Sequence, residues 1–121
     1  GLSMNEYHAN AIERTTVIVQ IETVEGVRDI DQIAAVSGVD VIFVGPLDLS
    51  YNLGCPKQYD HPDFLAALEK IITTCRHRGM AAGILSNEKM AQQHLSQGFN
   101  FLAVGSDSLA ARNGLQHLRD C

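Results

Sequence analysis

The feature that most constrains the fold of this chain is a strand-then-helix pattern that occurs about four times. Short runs of β-branched and apolar residues alternate with segments whose apolar residues recur at helical spacing. The expected strands are residues 17–22, 39–45, 80–85 and 101–105. Repeated units of this kind are typical of parallel strands with helices outside the sheet. The sequence therefore predicts an α/β fold in one domain over residues 1–121, with no internal linker.

Local signals mark the helices between these strands. Helices are expected in residues 24–37 as one or two short pieces, at 47–53 as a single turn, and at 62–78, 87–97 and 106–118. A short helix at residues 7–14 is also compatible with the sequence. Gly79 is expected to end the long helix that Pro62 begins. Either Ser86 or Asn87 is expected to cap the helix that follows the third strand.

Composition and charge argue against several classes of function. Hydrophobic residues make up 45% of the chain and charged residues 19%, the balance of a globular protein. A formal net charge of −5 with scattered Lys and Arg argues against nucleic-acid binding. No apolar run approaches the roughly 20 residues of a membrane span, and no secretory signal is apparent. Three cysteines without a CxxC motif suit a reducing compartment, so we expect a cytoplasmic protein.

Two carboxylates follow adjacent expected strands. Sites in parallel α/β folds lie at the C-terminal ends of strands, and Glu22 and Asp48 stand at two such ends. If they converge, a cation or a proton must neutralise their repulsion. Oxygen ligands favour Mg²⁺, Mn²⁺ or Co²⁺. From spacing alone an alternative stays open, in which each carboxylate only caps the helix or turn that follows it.

Two further features indicate ordinary structural roles. The five histidines show no metal-ligand spacing, so solvated or structural positions are expected for them. Gly105-Ser106-Asp107 could present backbone amides to an anion at a helix N-terminus. The segment lacks a full phosphate-binding motif, and an ordinary strand-to-helix turn is the favoured interpretation.

At these strand ends the sequence resembles a known family. The segments VIVQIET, GVDVIFVGPLDLS, GILSN and FLAVGSDSLAAR look like those of the HpcH/HpaI family of class II pyruvate aldolases. The resemblance runs from about Tyr7 to Leu118, and QIET with GPxDLS at this separation is a specific combination. It implies that the chain supplies strands five to eight, the C-terminal half, of a (β/α)8 TIM barrel.

The resemblance also implies roles for individual residues. Glu22 and Asp48 would bind the divalent metal, and Gln20 would lie beside bound pyruvate. Backbone amides in the segment Gly45, Pro46, Leu47 and Asp48 would hold the keto-acid carboxylate. The metal would bind the keto acid and stabilise its enolate. Leu47 departs from the smaller residue often found at its position, which could tighten the pocket and alter substrate choice.

The implied activity is cleavage of 4-hydroxy-2-oxo acids to pyruvate and an aldehyde. The family's catalytic arginine and its histidine–aspartate base pair come from the first half of the barrel, and nothing here matches them. We therefore expect no catalytic base in this chain, which looks like a fragment. Two alternatives stay open, a lyase similar to citrate lyase β or malyl-CoA lyase, and a non-catalytic half-barrel that serves in binding or assembly.

A half-barrel would leave sheet edges and apolar side chains uncovered. The barrel-facing side chains expected in water are Ile18, Val41 or Ile42, and Leu102 or Ala103. Bare edges and apolar faces favour association. We therefore expect the chain to pair with the missing half or with another copy of itself. Leu109, Leu115 and Leu118 would give the last helix an apolar face for a neighbouring subunit.

Overall fold

The computed structural model describes residues 15–119 together with residues 3, 4, 10 and 11. The strands are β1 (Ile18–Ile21), β2 (Val41–Val44), β3 (Ala81–Ser86) and β4 (Phe101–Val104). The helices are α1 (Val24–Arg28), α2 (Ile30–Ile33), α3 (Pro46–Asn52), α4 (Pro62–Arg78), α5 (Ala91–Gln97) and α6 (Asp107–Arg119). The short helix considered at residues 7–14 lies outside the described residues, apart from residues 10 and 11.

The four strands form one parallel sheet in the order of the chain, β1-β2-β3-β4. Gln20 lies opposite Phe43, Phe43 opposite Gly83, and Gly83 opposite Phe101. Every strand therefore ends at the same edge of the sheet, and the loops that leave these ends are neighbours. This arrangement confirms the α/β fold predicted from the repeated strand–helix pattern.

One face of the sheet is covered by helices and forms the core. The largest contribution comes from α4, whose apolar stripe packs onto alternate residues of the strands. The core includes Ile21, Ile42, Val44 and Ile84 from the strands and Phe64, Leu68, Ile71 and Cys75 from α4. Burying each such aliphatic or aromatic side chain stabilises the fold by roughly 1.5–3 kcal/mol.

The ends of α4 follow the sequence signals. His61 occupies the N-cap, where Asp63 N donates to His61 Nδ1 at 3.2 Å, and Pro62 follows at the first helical position. Gly79 ends the helix with a φ of +67°, a left-handed conformation that glycine adopts without a steric penalty. The long helix is thus confirmed at both ends.

The opposite face of the sheet is partly open to solvent. Ile18, Leu85 and Phe101 are exposed there. The expectation that Val41 or Ile42 faces water is wrong, because their side chains are 4% and 0% exposed. Ile42 belongs to the core beneath the helices. Leu102 and Ala103 are partly buried.

None of the helices in the described part of the chain is long and apolar enough to cross a membrane. The longest is α4, and its stripe of apolar residues is used against the sheet.

Candidate functional site

The ends of β1 and β2 meet at the edge of the sheet where the candidate residues were expected. Gly45 N donates to the carbonyl oxygen of Ile21 at 3.2 Å, which continues the strand pairing by one residue. Glu22 leaves β1 at this point, and α3 begins immediately after Gly45. The loop after β1 and the first turn of α3 are therefore adjacent.

Gln20 and Glu22 lie on the same face of the sheet, as their alternation predicts. Gln20 Nε2 donates a hydrogen bond to Glu22 Oε1 at 2.5 Å. Glu22 is partly buried and Gln20 is exposed. The amide group thus fixes the orientation of the carboxylate and leaves the other oxygen of Glu22 for a further partner.

Gly45 packs directly against this pair. A Cβ atom at Gly45 would overlap Glu22 Oε1 and would lie 2.8 Å from Gln20 Nε2. The φ angle of Gly45 is −91°, which any residue can adopt. The close contact with Glu22 and Gln20, and not the backbone conformation, therefore explains why this position is a glycine. Three of the predicted site residues, Gln20, Glu22 and Gly45, are therefore brought together.

The capping alternative for Glu22 and Asp48 is wrong. Thr23 is the N-cap of α1, where its side chain accepts a hydrogen bond from Gly26 N at 3.0 Å. Gly45 is the N-cap of α3, and Asp48 lies inside the first turn with its side chain exposed. An acidic residue in a first turn also favours the helix dipole, by about 0.3–1 kcal/mol.

The segment from Gly45 to Asp48 is held by hydrogen bonds that the sequence analysis missed. Ser50 is fully buried; its Oγ donates to Leu47 O at 2.7 Å and accepts from Lys57 N at 2.9 Å. Asn52 Oδ1 accepts from Val24 N at 2.8 Å, which ties the end of α3 to the start of α1. The bond between Val24 and Asn52 joins residues 28 positions apart, which no local spacing in the sequence indicates.

The donor set fits an oxygen-ligated metal better than a zinc centre. Within the described residues no group of three or more His, Cys, Asp and Glu side chains could hold a metal ion. Zinc sites generally use three or four such ligands. Mg²⁺ is commonly bound by one or two carboxylates, with waters and substrate completing its shell. Glu22 and Asp48 fit the second pattern, and their role as ligands remains a prediction.

The ends of β3 and β4 border an open cavity of about 590 Å³. Asn87 Oδ1 accepts from Lys89 N and Met90 N, so Asn87 caps the turn before α5. The expectation that Ser86 or Asn87 caps the helix itself is wrong, because the N-cap of α5 is Met90, which makes no side-chain capping bond. At α6, Ser106 Oγ accepts from Leu109 N and Asp107 Oδ1 from Ser108 N. These amides already have partners within the chain, in agreement with the favoured interpretation of an ordinary turn.

Comparison with known proteins decides the family. A model of the HpcH/HpaI aldolase/citrate lyase family matches residues 3–114. The chain belongs to this family. The resemblance seen in the sequence motifs is confirmed.

Individual relatives cover nearly all of this chain. It is 43% identical over 117 residues to the hydroxypyruvate/pyruvate aldolase of Pseudomonas aeruginosa, an alignment covering 96% of the chain and 44% of that protein. It is 41% identical over 121 residues to the 4-hydroxy-2-oxo-heptane-1,7-dioate aldolase of Escherichia coli. That alignment covers 92% of this chain and 46% of the relative.

A solved structure supports the same relationship. A HpcH/HpaI aldolase/citrate lyase family protein from Burkholderia cenocepacia superposes with a TM-score of 0.83 at 34% identity, covering 96% of this chain and 48% of that one. The chain therefore spans about half the length of the relatives it matches.

Proposed function

We propose that the protein containing this chain is a metal-dependent class II aldolase that cleaves 4-hydroxy-2-oxo acids to pyruvate and an aldehyde. The observation that carries the proposal is the packing of Gln20, Glu22 and Gly45 where β1 and β2 end. The names of the two relatives, aldolases of hydroxypyruvate or pyruvate and of a 4-hydroxy-2-oxo dioate, support the substrate class.

In this proposal the two carboxylates hold a divalent ion. Glu22 and Asp48 would supply oxygen ligands to Mg²⁺, Mn²⁺ or Co²⁺. Such an ion, when bound, would act as a Lewis acid on the keto acid. Gln20 holds the Glu22 carboxylate and would also orient the keto acid at the exposed end of its amide.

The loop between β2 and α3 would bind the keto-acid carboxylate. Within the segment from Gly45 to Asp48, the backbone N–H groups of Leu47 and Asp48 would donate to it at the positive end of the short helix, since Gly45 N already donates to Ile21 O and Pro46 has no N–H. Leu47 is 45% exposed, so its side chain is available to contact the aldehyde portion of the substrate. A larger side chain at this position would narrow the space for that portion.

The remaining catalytic groups would come from the rest of the protein. We propose that residues 1–121 form strands five to eight of a TIM barrel. The open face with Ile18, Leu85 and Phe101 would then look into the barrel. The match to about half of each relative supports this division. The base that moves the proton of the 4-hydroxyl group would be contributed from outside this chain.

A cytoplasmic location accompanies the proposal. Cys55 and Cys75 are both buried free thiols, and burial raises the pKa of the Cys75 thiol to about 11. Buried free thiols suit a reducing compartment.

A retro-aldol assay on the complete protein tests the proposal. Pyruvate release should stop with EDTA and return with Mg²⁺ or Mn²⁺. Glu22→Gln and Asp48→Asn should each lose metal binding measured by calorimetry. Glu25→Gln and Asp63→Asn are matched controls, since both are acidic residues in first turns of other helices. Activity indifferent to the chelator would refute the role of the metal.

The family name also includes citrate lyases, so a thioester lyase of the citrate lyase β or malyl-CoA type is the alternative enzyme. Parallel assays with a 4-hydroxy-2-oxo acid and with an acyl-CoA substrate separate the two. A complete protein that binds metal and pyruvate but turns over neither substrate would instead be a non-catalytic binding protein.

A further inference from the structure

A second cavity lies on the helix-covered side of the sheet, away from Gln20 and Glu22. It has a volume of about 230 Å³ and is enclosed by β3, α4 and α5. Its apolar wall includes Phe64, Leu68, Ile84 and Met90. A cavity of about 150 Å³ with similar walls is large enough to admit benzene. This space can therefore hold a small aromatic or aliphatic molecule.

The polar groups of the cavity carry no net charge. Ser86 Oγ lies 2.8 Å from His94 Nδ1, and the two form a hydrogen bond at the end of β3. Burial lowers the pKa of His94, so its ring is neutral at pH 7. None of the other described residues that line the cavity is acidic or basic. Burying an ionised ligand without a charged partner is costly, so the cavity selects against anions such as keto acids.

One polar atom in the wall lacks a partner. Gln97 lines this cavity and also a neighbouring one beside Arg76, and its Oε1 atom is buried without a hydrogen-bond partner among the described residues. A buried acceptor left without a donor destabilises a structure by about 1–3 kcal/mol. A ligand that brings a hydroxyl or amine donor would satisfy this atom while its apolar body contacts Leu68 and Ile84.

We propose that this cavity is a binding site for an uncharged, mainly apolar small molecule that donates one hydrogen bond, such as a phenol or a short aliphatic alcohol. Its lining includes Pro46 and Leu47, the first residues of α3. A bound molecule would contact the segment proposed to hold the keto-acid carboxylate, although it would occupy the opposite side of the sheet. The proposal does not rest on the proposed lyase reaction, because its evidence is the lining of the cavity alone.

Calorimetric titration of the complete protein with three probes tests this site directly. Phenol offers a donor on an apolar ring, toluene has the ring without the donor, and benzoate has the ring with a negative charge. Phenol should bind about fivefold more tightly than toluene, the effect of one net hydrogen bond. Benzoate should show no binding. Equal affinity for phenol and toluene, tighter binding of benzoate, or no binding of any probe would each overturn the proposal.

Two variants locate the binding. Gln97→Leu should reduce phenol affinity about fivefold and leave toluene unchanged. Met90→Trp, at the partly buried rim, should fill the space and abolish binding of both probes. Gln92→Leu is the matched control, since Gln92 is exposed on α5 and does not line the cavity. Unaltered phenol binding in both Gln97→Leu and Met90→Trp would place the probe elsewhere and refute the assignment.

Discussion

Gly45 illustrates how a single missing side chain can shape a site. A Cβ atom there would meet the ends of two flexible side chains, Glu22 and Gln20, and not rigid backbone. The chain can therefore accommodate an alanine by moving the carboxylate. An alanine at position 45 should therefore disturb the proposed metal site more than it disturbs the fold. For this reason Gly45 is a suitable position at which to test the site.

We predict that Gly45→Ala in the complete protein weakens Mn²⁺ binding at least tenfold, about 1.4 kcal/mol, because the Glu22 carboxylate is displaced. Calorimetry gives the affinity, and circular dichroism checks that the fold is intact. Gly114→Ala is the control, since Gly114 lies in α6 with open space around it. Equal Mn²⁺ affinities in the two variants would contradict the prediction.

Gln20 should affect both the keto acid and the metal. Gln20→Ala removes one hydrogen bond proposed to reach the substrate, worth about 0.5–1.5 kcal/mol, and KM for the oxo acid should rise severalfold. Because Gln20 also orients Glu22, a smaller loss of Mn²⁺ affinity should accompany it. Steady-state kinetics and calorimetry check the two effects. A variant with unchanged KM would remove Gln20 from the substrate site.

The candidate residues were predictable from the sequence because strand alternation and strand ends are local signals. Alternation placed Gln20 and Glu22 on one face, and the apolar runs placed Asp48 beyond the next strand. What could not be predicted was which neighbour caps each helix. Thr23 took the role considered for Glu22 because its short hydroxyl reaches Gly26 N, a matter of geometry over a few ångströms.

At the scale of secondary structure, α5 combines few buried contacts with one pH-sensitive contact. No residue of Ala91–Gln97 is fully buried, and His94 links the helix to β3 through Ser86. His94 also lies edge-on to Phe99, with ring centroids 5.9 Å apart. Because the ring of His94 is partly buried, the charged imidazole is disfavoured in the folded chain.

We predict that the fold loses stability as the pH falls below about 6.5, the ordinary pKa of histidine. Burial lowers the pKa of His94 in the folded state, so the unfolded chain takes up the proton first. The stability associated with the neutral His94 ring is fully present above pH 6.5. It decreases as the pH falls from 6.5 to the lower pKa that His94 has in the folded state. Thermal melting between pH 7.5 and 5 measures this slope.

The control is His77, a histidine whose side chain is exposed. His94→Gln should flatten the dependence of melting temperature on pH, whereas His77→Gln, exposed near the end of α4, should keep it. If both variants retain the slope of the parent protein, another group is responsible for it.

The helices and strands themselves were largely predictable, because each has a periodic apolar pattern with a start or stop residue. Pro62 and Gly79 bound α4 as expected. Tertiary contacts were not predictable in the same way. The hydrogen bond between Ser86 and His94 and the hydrogen bond from Val24 N to Asn52 Oδ1 depend on how separate elements meet in space, which no local pattern encodes.

At the scale of the whole molecule, two apolar surfaces are exposed among the residues that the structure describes. One is the open face of the sheet with Ile18, Leu85 and Phe101. The other is α6, which has no buried residue and on which Leu115 and Leu118 are 69% and 72% exposed. Surfaces of this kind commonly mark association sites.

We predict that the isolated 121-residue chain self-associates in sedimentation velocity experiments. Replacing both leucines, Leu115→Glu with Leu118→Glu, should reduce association through α6. The double variant Gln58→Glu with Gln92→Glu adds the same charge at other exposed positions and should leave association unchanged. A compact parent chain that sediments as a monomer and melts cooperatively would show that the half-barrel proposal is wrong.

The strand order of the sheet has a consequence for how the chain acquires its structure. Each strand pairs with the one that precedes it in the sequence, so no strand must wait for a distant partner to be synthesised. Each parallel pairing must nevertheless close a loop that contains at least one helix, and non-local pairing of this kind is intrinsically slow. The core helix α4 lies between β2 and β3, so the first pair of strands receives its main apolar cover before the second half of the sheet is made.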